Sequence, residues 1–181
     1  MIIKRILVFK SLFHIYQLLH GYGLFPVHAG CVTLNNDKNN GLMLMGQGGS
    51  GKSTLTMKFV QDGEKLLADD CTFLKLNKRA GKVMGLKYPR HISLKSEVLN
   101  KHFPEFQLAL DKEFDGVFRK KQLQLSKLDE EYFTYKVIPK NIIFLYSTDE
   151  IDESKLDLTS IKSKMGLTLL LKTNYKFQEM F

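Results

Sequence analysis

Cysteine is scarce, acids are outnumbered, and no apolar run is long enough to cross a bilayer in these 181 residues. The two cysteines, Cys31 and Cys71, are too few for a disulfide framework and lack the His/Cys spacing of a zinc site, so both are read as reduced thiols in a cytoplasmic protein. Near the N-terminus, Lys4 and Arg5 precede Ile6-Leu7-Val8-Phe9, and Ala29-Gly30-Cys31 mimics a lipoprotein cleavage box. Lys10, His14, Gln17 and His20 interrupt that stretch, which falls short of the ~18–20 clean residues that a span needs. An amphipathic helix over residues 10–20, with Leu12, Ile15, Tyr16 and Leu19 on one face, is predicted instead. There is no internal repeat and no low-complexity tract.

Nineteen acids stand against 27 Lys and Arg, a net charge of +8 that is unevenly placed. Residues 78–101 hold seven Lys or Arg and only Glu97, whereas residues 149–157 carry five acids against Lys155. A basic mid-chain surface suits phosphates, an acidic peptide or nucleic acid, or is simply a solvated face. No aromatic-interleaved RNA-binding signature and no helix-turn-helix pattern accompanies it, which makes nucleic acid a minor partner class.

The length fits one globular domain with a core large enough to need no staples. We expect a short N-terminal helical segment over 1–25 and a catalytic domain over 26–181, short at its C-terminal end. Residues 27–34 and 42–45 read as a strand hairpin across the polar loop 35–40, and residues 53–60 as a helix ending near Asp62-Gly63. Strands follow at 65–68, 71–76 and 83–87, the last two as a hairpin. Two more, 133–138 and 142–146, are parted by Pro139-Lys140, and a helix over 159–171 closes the chain. The stretch punctuated by Pro89 and Pro104 has no clear assignment. The class is α/β: a mixed sheet with flanking helices.

Between the second strand and the first helix of the domain stands Gly46-Gln47-Gly48-Gly49-Ser50-Gly51-Lys52-Ser53, a full match to G-x-x-x-x-G-K-[ST] in the strand-to-helix context that such a phosphate loop requires. Glycines let the backbone curl with positive φ so that successive amides face phosphate oxygens, and the helix start adds partial positive charge. Lys52 supplies a mobile cation for the β- and γ-phosphates, Ser53 a hard oxygen for Mg²⁺, and Thr54 supports the turn. Gly46, Gly48, Gly49, Ser50, Gly51, Lys52, Ser53 and Thr54 are therefore the nucleotide-binding candidates.

Asp69-Asp70 lies 17 residues past Lys52 at the end of a strand, so the helix returns the chain beside the loop. Neighbouring strand residues alternate sides and cannot share a task. One carboxylate can accept a proton while the other orients Mg²⁺ or its water. His28, on the strand next to the loop strand, can tune such a carboxylate. Arg90, in Tyr88-Pro89-Arg90-His91, is a candidate second phosphate contact, since a guanidinium fork suits phosphoryl charge.

The ordered set His28-Ala29-Gly30, the glycine loop, then Leu67-Ala68-Asp69-Asp70 resembles the catalytic domain of HPr serine kinase/phosphorylase and the shorter HPr-kinase-like proteins, related in fold to ATP-dependent phosphoenolpyruvate carboxykinases. It covers residues 26–76 with specificity and 141–171 more loosely. The resemblance implies an ATP- and Mg²⁺-dependent serine kinase acting on a protein or small peptide, with Asp69 as proton acceptor, Asp70 assisting the metal and His28 paired with Asp69. It also leaves a homo-oligomer open, since the prototype enzymes are hexamers. The family's Glu-Arg-Gly-Leu-Gly segment is missing, which points away from HPr itself and toward peptide modification. A P-loop NTPase, or a nucleotide-binding interaction module without kinase activity, is the alternative.

Overall fold

A computed structural model describes residues 15, 18–77, 79–87, 92–115, 120–123 and 127–145. The N-terminal helix expected over 10–20 lies mostly outside these; its described part, Ile15 and residues 18–21, is helical, with Ile15 and Leu18 largely exposed. The predicted closing helix at 159–171 and Arg90 lie wholly outside. Among the described residues no helix is long and apolar enough to cross a membrane.

The elements are β1 (Leu24–Val27), β2 (Ala29–Leu34), β3 (Asp37–Gly46), α1 (Lys52–Gln61), β4 (Leu66–Ala68), β5 (Thr72–Asn77), β6 (Lys82–Leu86), β7 (Ile92–Lys95), α2 (Ser96–His102), β8 (Leu110–Asp115), β9 (Lys120–Leu123), β10 (Lys136–Val137) and β11 (Pro139–Leu145). Short 3₁₀ turns occupy Pro104–Ala109 and Glu130–Tyr132. A central sheet in the order β11-β3-β2-β4 has β11 parallel to β3, and β2 antiparallel to both of its neighbours. Strands β3, β4 and β11 thus point the same way. A second, antiparallel sheet runs β1-β5-β6-β10, and a third β7-β9-β8. The architecture is mixed α/β.

The apolar run Leu42-Met43-Leu44-Met45 is uninterrupted because the central sheet is covered on both faces. Leu42 and Leu44, with Val32 and Leu66, meet Met57 and Val60 of α1 and the side chains of β7 and α2. Met43 and Met45, with Ala29, Cys31 and Leu67, meet Val27 and Val137 from the second sheet. Successive residues of one strand therefore feed two cores. Both cysteines are free and buried, and burial among apolar side chains pushes the Cys31 thiol up to about 12.

The β2–β3 hairpin turns on Asn35 and Asn36, both at positive φ, the conformation that a two-residue primed turn demands. Glu64, between α1 and β4, holds the turn: its carboxylate accepts from the Thr33 hydroxyl at 2.7 Å and from the amides of Asn35 at 2.7 Å and Asn36 at 2.9 Å. The helix return is thereby tied to the far end of the hairpin.

Three expected elements are corrected. Residues 37–40, expected as loop, open β3, and the strand expected over 27–34 breaks at His28 between β1 and β2, which belong to different sheets. The 133–138 strand reduces to an isolated bridge at Phe133 and the two-residue β10, and Pro139 opens β11 instead of separating two strands. Proline is tolerated here because β11 is an edge strand and Pro139 its first residue, so its missing N–H interrupts no ladder. The backbone of residues 134–135 bonds elsewhere, Thr134 N–H donating to Leu66 O and Tyr135 O accepting from Lys87 N–H.

Candidate functional site

Because β3, β4 and β11 are parallel, their C-terminal ends share one edge of the central sheet, together with the start of β2. Gly46, Asp69 and His28 arrive at that edge from three different elements. Crevices outside the carboxyl ends of parallel strands are where α/β sheets offer functional groups to a ligand.

The loop leaving β3 is shaped by its glycines. Gly46 has φ 154°, and a Cβ there would fall 2.5 Å from Leu145 O and 2.6 Å from Ser50 Oγ, so β11 closes against the loop only because the position is glycine. Gly49 and Gly51 have φ 86° and 88°. Gly51 caps α1 without a side chain, and Leu55 N–H donates back to Gly51 O. The amides of the opening turn, residues 52–54, have no intrahelical acceptor, and no acidic side chain stands in that turn. Gly48 differs: its φ is not positive and a Cβ would meet nothing within 4 Å. Lys52 is buried, and its ammonium donates to Gly46 O at 2.8 Å and Gln47 O at 3.0 Å, spanning the loop from inside.

Beside the loop, two segments of the chain change sheets together. Val27 pairs with Thr72 in the second sheet and Cys31 with Ala68 in the central one, so residues 28–30 and 69–71 form a shared corner. Thr72 Oγ1 donates to Ala29 O at 2.9 Å. Gly30 sits under α1, since a Cβ there would lie 2.3 Å from Thr56 Oγ1. His28 Nδ1 reaches Asp70 O at 2.9 Å and Asp70 Oδ1 at 3.2 Å. A carbonyl oxygen can only accept, so Nδ1 carries a proton and a neutral ring has its basic nitrogen at Nε2. The resemblance implies a His28–Asp69 pair; the contact falls instead on Asp70, whose side chain turns outward and is 45% exposed.

Asp69 turns inward. It is 6% exposed, and its Oδ1 is buried with no hydrogen-bond partner. Burial pushes its carboxyl up to about 7. The Ser53 hydroxyl pulls it down, the Asp70 charge pushes it up, and the Ser93 amide and the Lys52 ammonium pull it down, without offsetting burial. Ser53, expected to work with Asp70, thus stands at Asp69. Ser93 on β7 was missed: nothing in its sequence neighbourhood marks it, since it acts through its main chain. Ser50 Oγ and Thr56 Oγ1 are likewise buried without partners. Such buried unpartnered atoms are rare in folded proteins.

The structure therefore assembles His28, Lys52, Ser53, Asp69 and Asp70 around one glycine turn. Among the described residues no three His, Cys, Asp or Glu side chains cluster as a metal cage.

No protein-family profile matches the chain, and no curated protein matches it. Among solved structures, the HPr(Ser) kinase/phosphatase from Coxiella burnetii is similar at a TM-score of 0.48 and 16% identity, over 76% of this chain and 66% of that one. The chain spans about two thirds of that structure's length.

Proposed function

We propose that this chain transfers a phosphoryl group from ATP, with Mg²⁺, to a Ser or Thr hydroxyl of a protein or small peptide, as an HPr-kinase-like serine kinase. The observation that carries the reading is Asp69, a buried carboxyl with an unpartnered oxygen and a pKa raised to about 7, set beside a glycine turn and a helix start. A general base works best when its pKa lies near the operating pH, and burial is what moves a carboxyl there. The loop glycines and the opening turn of α1 suit a polyanion, because amides and helix dipole point the same way.

Lys52 exchanges its two loop carbonyls for the β- and γ-phosphates, an easy exchange for an ammonium on a flexible stem. Thr54 lies in the same opening turn, and Arg90, two residues before β7, is proposed as the second phosphate contact. Mg²⁺ takes few protein ligands and keeps water and phosphate oxygens, so one hydroxyl and one carboxylate are enough; the orphaned oxygen of Asp69 beside Ser53 would accept from a water that such an ion holds. Ser53 and Asp70 are the proposed holders, with His28 fixing Asp70. When bound, the ion neutralises phosphate charge. Asp69 takes the acceptor's proton, and the closed corner keeps that carboxyl from water.

Incubation with γ-labelled ATP and serine-containing peptides tests the reading. Label on a hydroxyl supports it. Free phosphate alone indicates an NTPase and binding without turnover an interaction module, and either result overturns the kinase.

A further inference from the structure

We propose that the acceptor is an extended acidic peptide that docks on the outward face of the second sheet and runs along it to the corner at His28 and Asp70. This rests on the phosphoryl-transfer reading. The face follows from register. Leu74 pairs with Gly85 and Gly85 with Val137, and these point inward, where a Cβ on Gly85 would lie 2.8 Å from Leu67. The alternate positions therefore point outward: Phe73 beside Leu86 beside Lys136, Lys75 beside Met84, and Asn77 beside Lys82.

All three lysines on that face are exposed, and Phe73, Met84 and Leu86 between them are half-buried. Strands β1, β5, β6 and β10 contain no Asp or Glu, and among the described residues no carboxylate pairs with Lys75, Lys82 or Lys136. A positive face with an apolar middle is complementary to a segment that alternates acids with apolar side chains. A nucleic acid would satisfy the lysines and could stack a base on Phe73, but it has no aliphatic side chains to match Met84 and Leu86. The face also ends where the chemistry is proposed: Pro26, outward by its pairing with Phe73, is two residues from His28, and Phe73 is three from Asp70.

The test uses the full chain and a fluorescein-labelled peptide of alternating Glu and Leu with one central Ser, followed by anisotropy. A peptide with Lys replacing Glu and a single-stranded oligo-dT are run beside it, and ATP affinity is measured on the same samples. The acidic peptide is expected to bind and to lose affinity about tenfold in K75Q/K82Q/K136Q and further in K75E/K82E/K136E, with ATP affinity unchanged. Phosphorylation of the central Ser should show a raised KM at constant kcat in the glutamine variant. Equal peptide affinity in all three chains overturns the proposal, and so does tighter binding of oligo-dT than of the acidic peptide. A drop of several degrees in the melting temperature of the glutamine variant also overturns it, because the lysines would then be holding the chain's own acids. A chain that binds the peptide on this face but not ATP sinks the kinase reading alone, which keeps the two failures apart.

Discussion

At the residue scale the inward turn of Asp69 has a thermodynamic signature independent of any substrate. Its folded pKa of about 7 lies above the ordinary carboxylate value near ~4, so between those limits the folded state holds a proton that the unfolded chain releases. The group's stabilising contribution is complete below about pH 4 and is lost as pH rises through about 7. Asp69→Asn should flatten that decline, making the protein more stable at pH 8 by about 1–3 kcal/mol, read by urea unfolding at pH 5 and pH 8. The same variant should lower phosphoryl transfer about 10²–10⁴-fold while nucleotide still binds. Asp70→Asn should act differently, weakening the Mg²⁺ dependence of nucleotide binding; if the two variants exchange these phenotypes, the carboxylates exchange roles. The Asp pair was legible in the sequence, but which member faces His28 was not. Neighbouring residues alternate sides, and the sense of the alternation is set by the corner, a tertiary feature.

At the element scale the glycine turn and the hairpin clamp make separate demands. Gly51 caps α1 in the left-handed region, so Gly51→Ala should cost about 1–2 kcal/mol of stability by urea titration. Gly48 needs no such freedom, and Gly48→Ala should leave stability within about 0.5 kcal/mol. If phosphate packs against the loop backbone, the Gly48 methyl should still weaken ATP binding in a calorimetric titration; unchanged affinity would place the phosphates elsewhere. Glu64→Ala removes the acceptor for the Asn35 and Asn36 amides and should cost about 1–2 kcal/mol, measured by chemical unfolding, with nucleotide affinity untouched because the clamp lies at the opposite end of β2 and β3.

At the scale of the whole molecule, the strands and helix flanking the glycine loop and the β5–β6 hairpin were readable, whereas the stretch from β7 through β9, which completes the core on the α1 side, was not. Residues 42–45 announce a strand covered on both sides, and the residues after the glycine loop announce a helix, because each pattern follows from its own period. The stretch from β7 through β9 carries no such period. Its apolar side chains, Ile92, Leu94, Leu99 and Leu123, are spaced to meet α1 and the sheet rather than to mark a single element's face. Ser93 reaches Asp69 by a main-chain amide that any residue type would supply. Leu44→Ala, deep on the α1 side, should cost about 2–5 kcal/mol in global unfolding, whereas the lysine changes on the second sheet should leave global stability near that of the parent.

Strand β3 sits between β2, its immediate predecessor, and β11, which arrives about a hundred residues later, and Gly46 is seated against Leu145. During synthesis the hairpin and the first helix can form early, yet the wall behind the glycine turn is missing until residue 145 has emerged. A ribosome-tethered chain stopped before residue 139 should therefore capture little ATP, and competence should appear abruptly once β11 clears the exit tunnel.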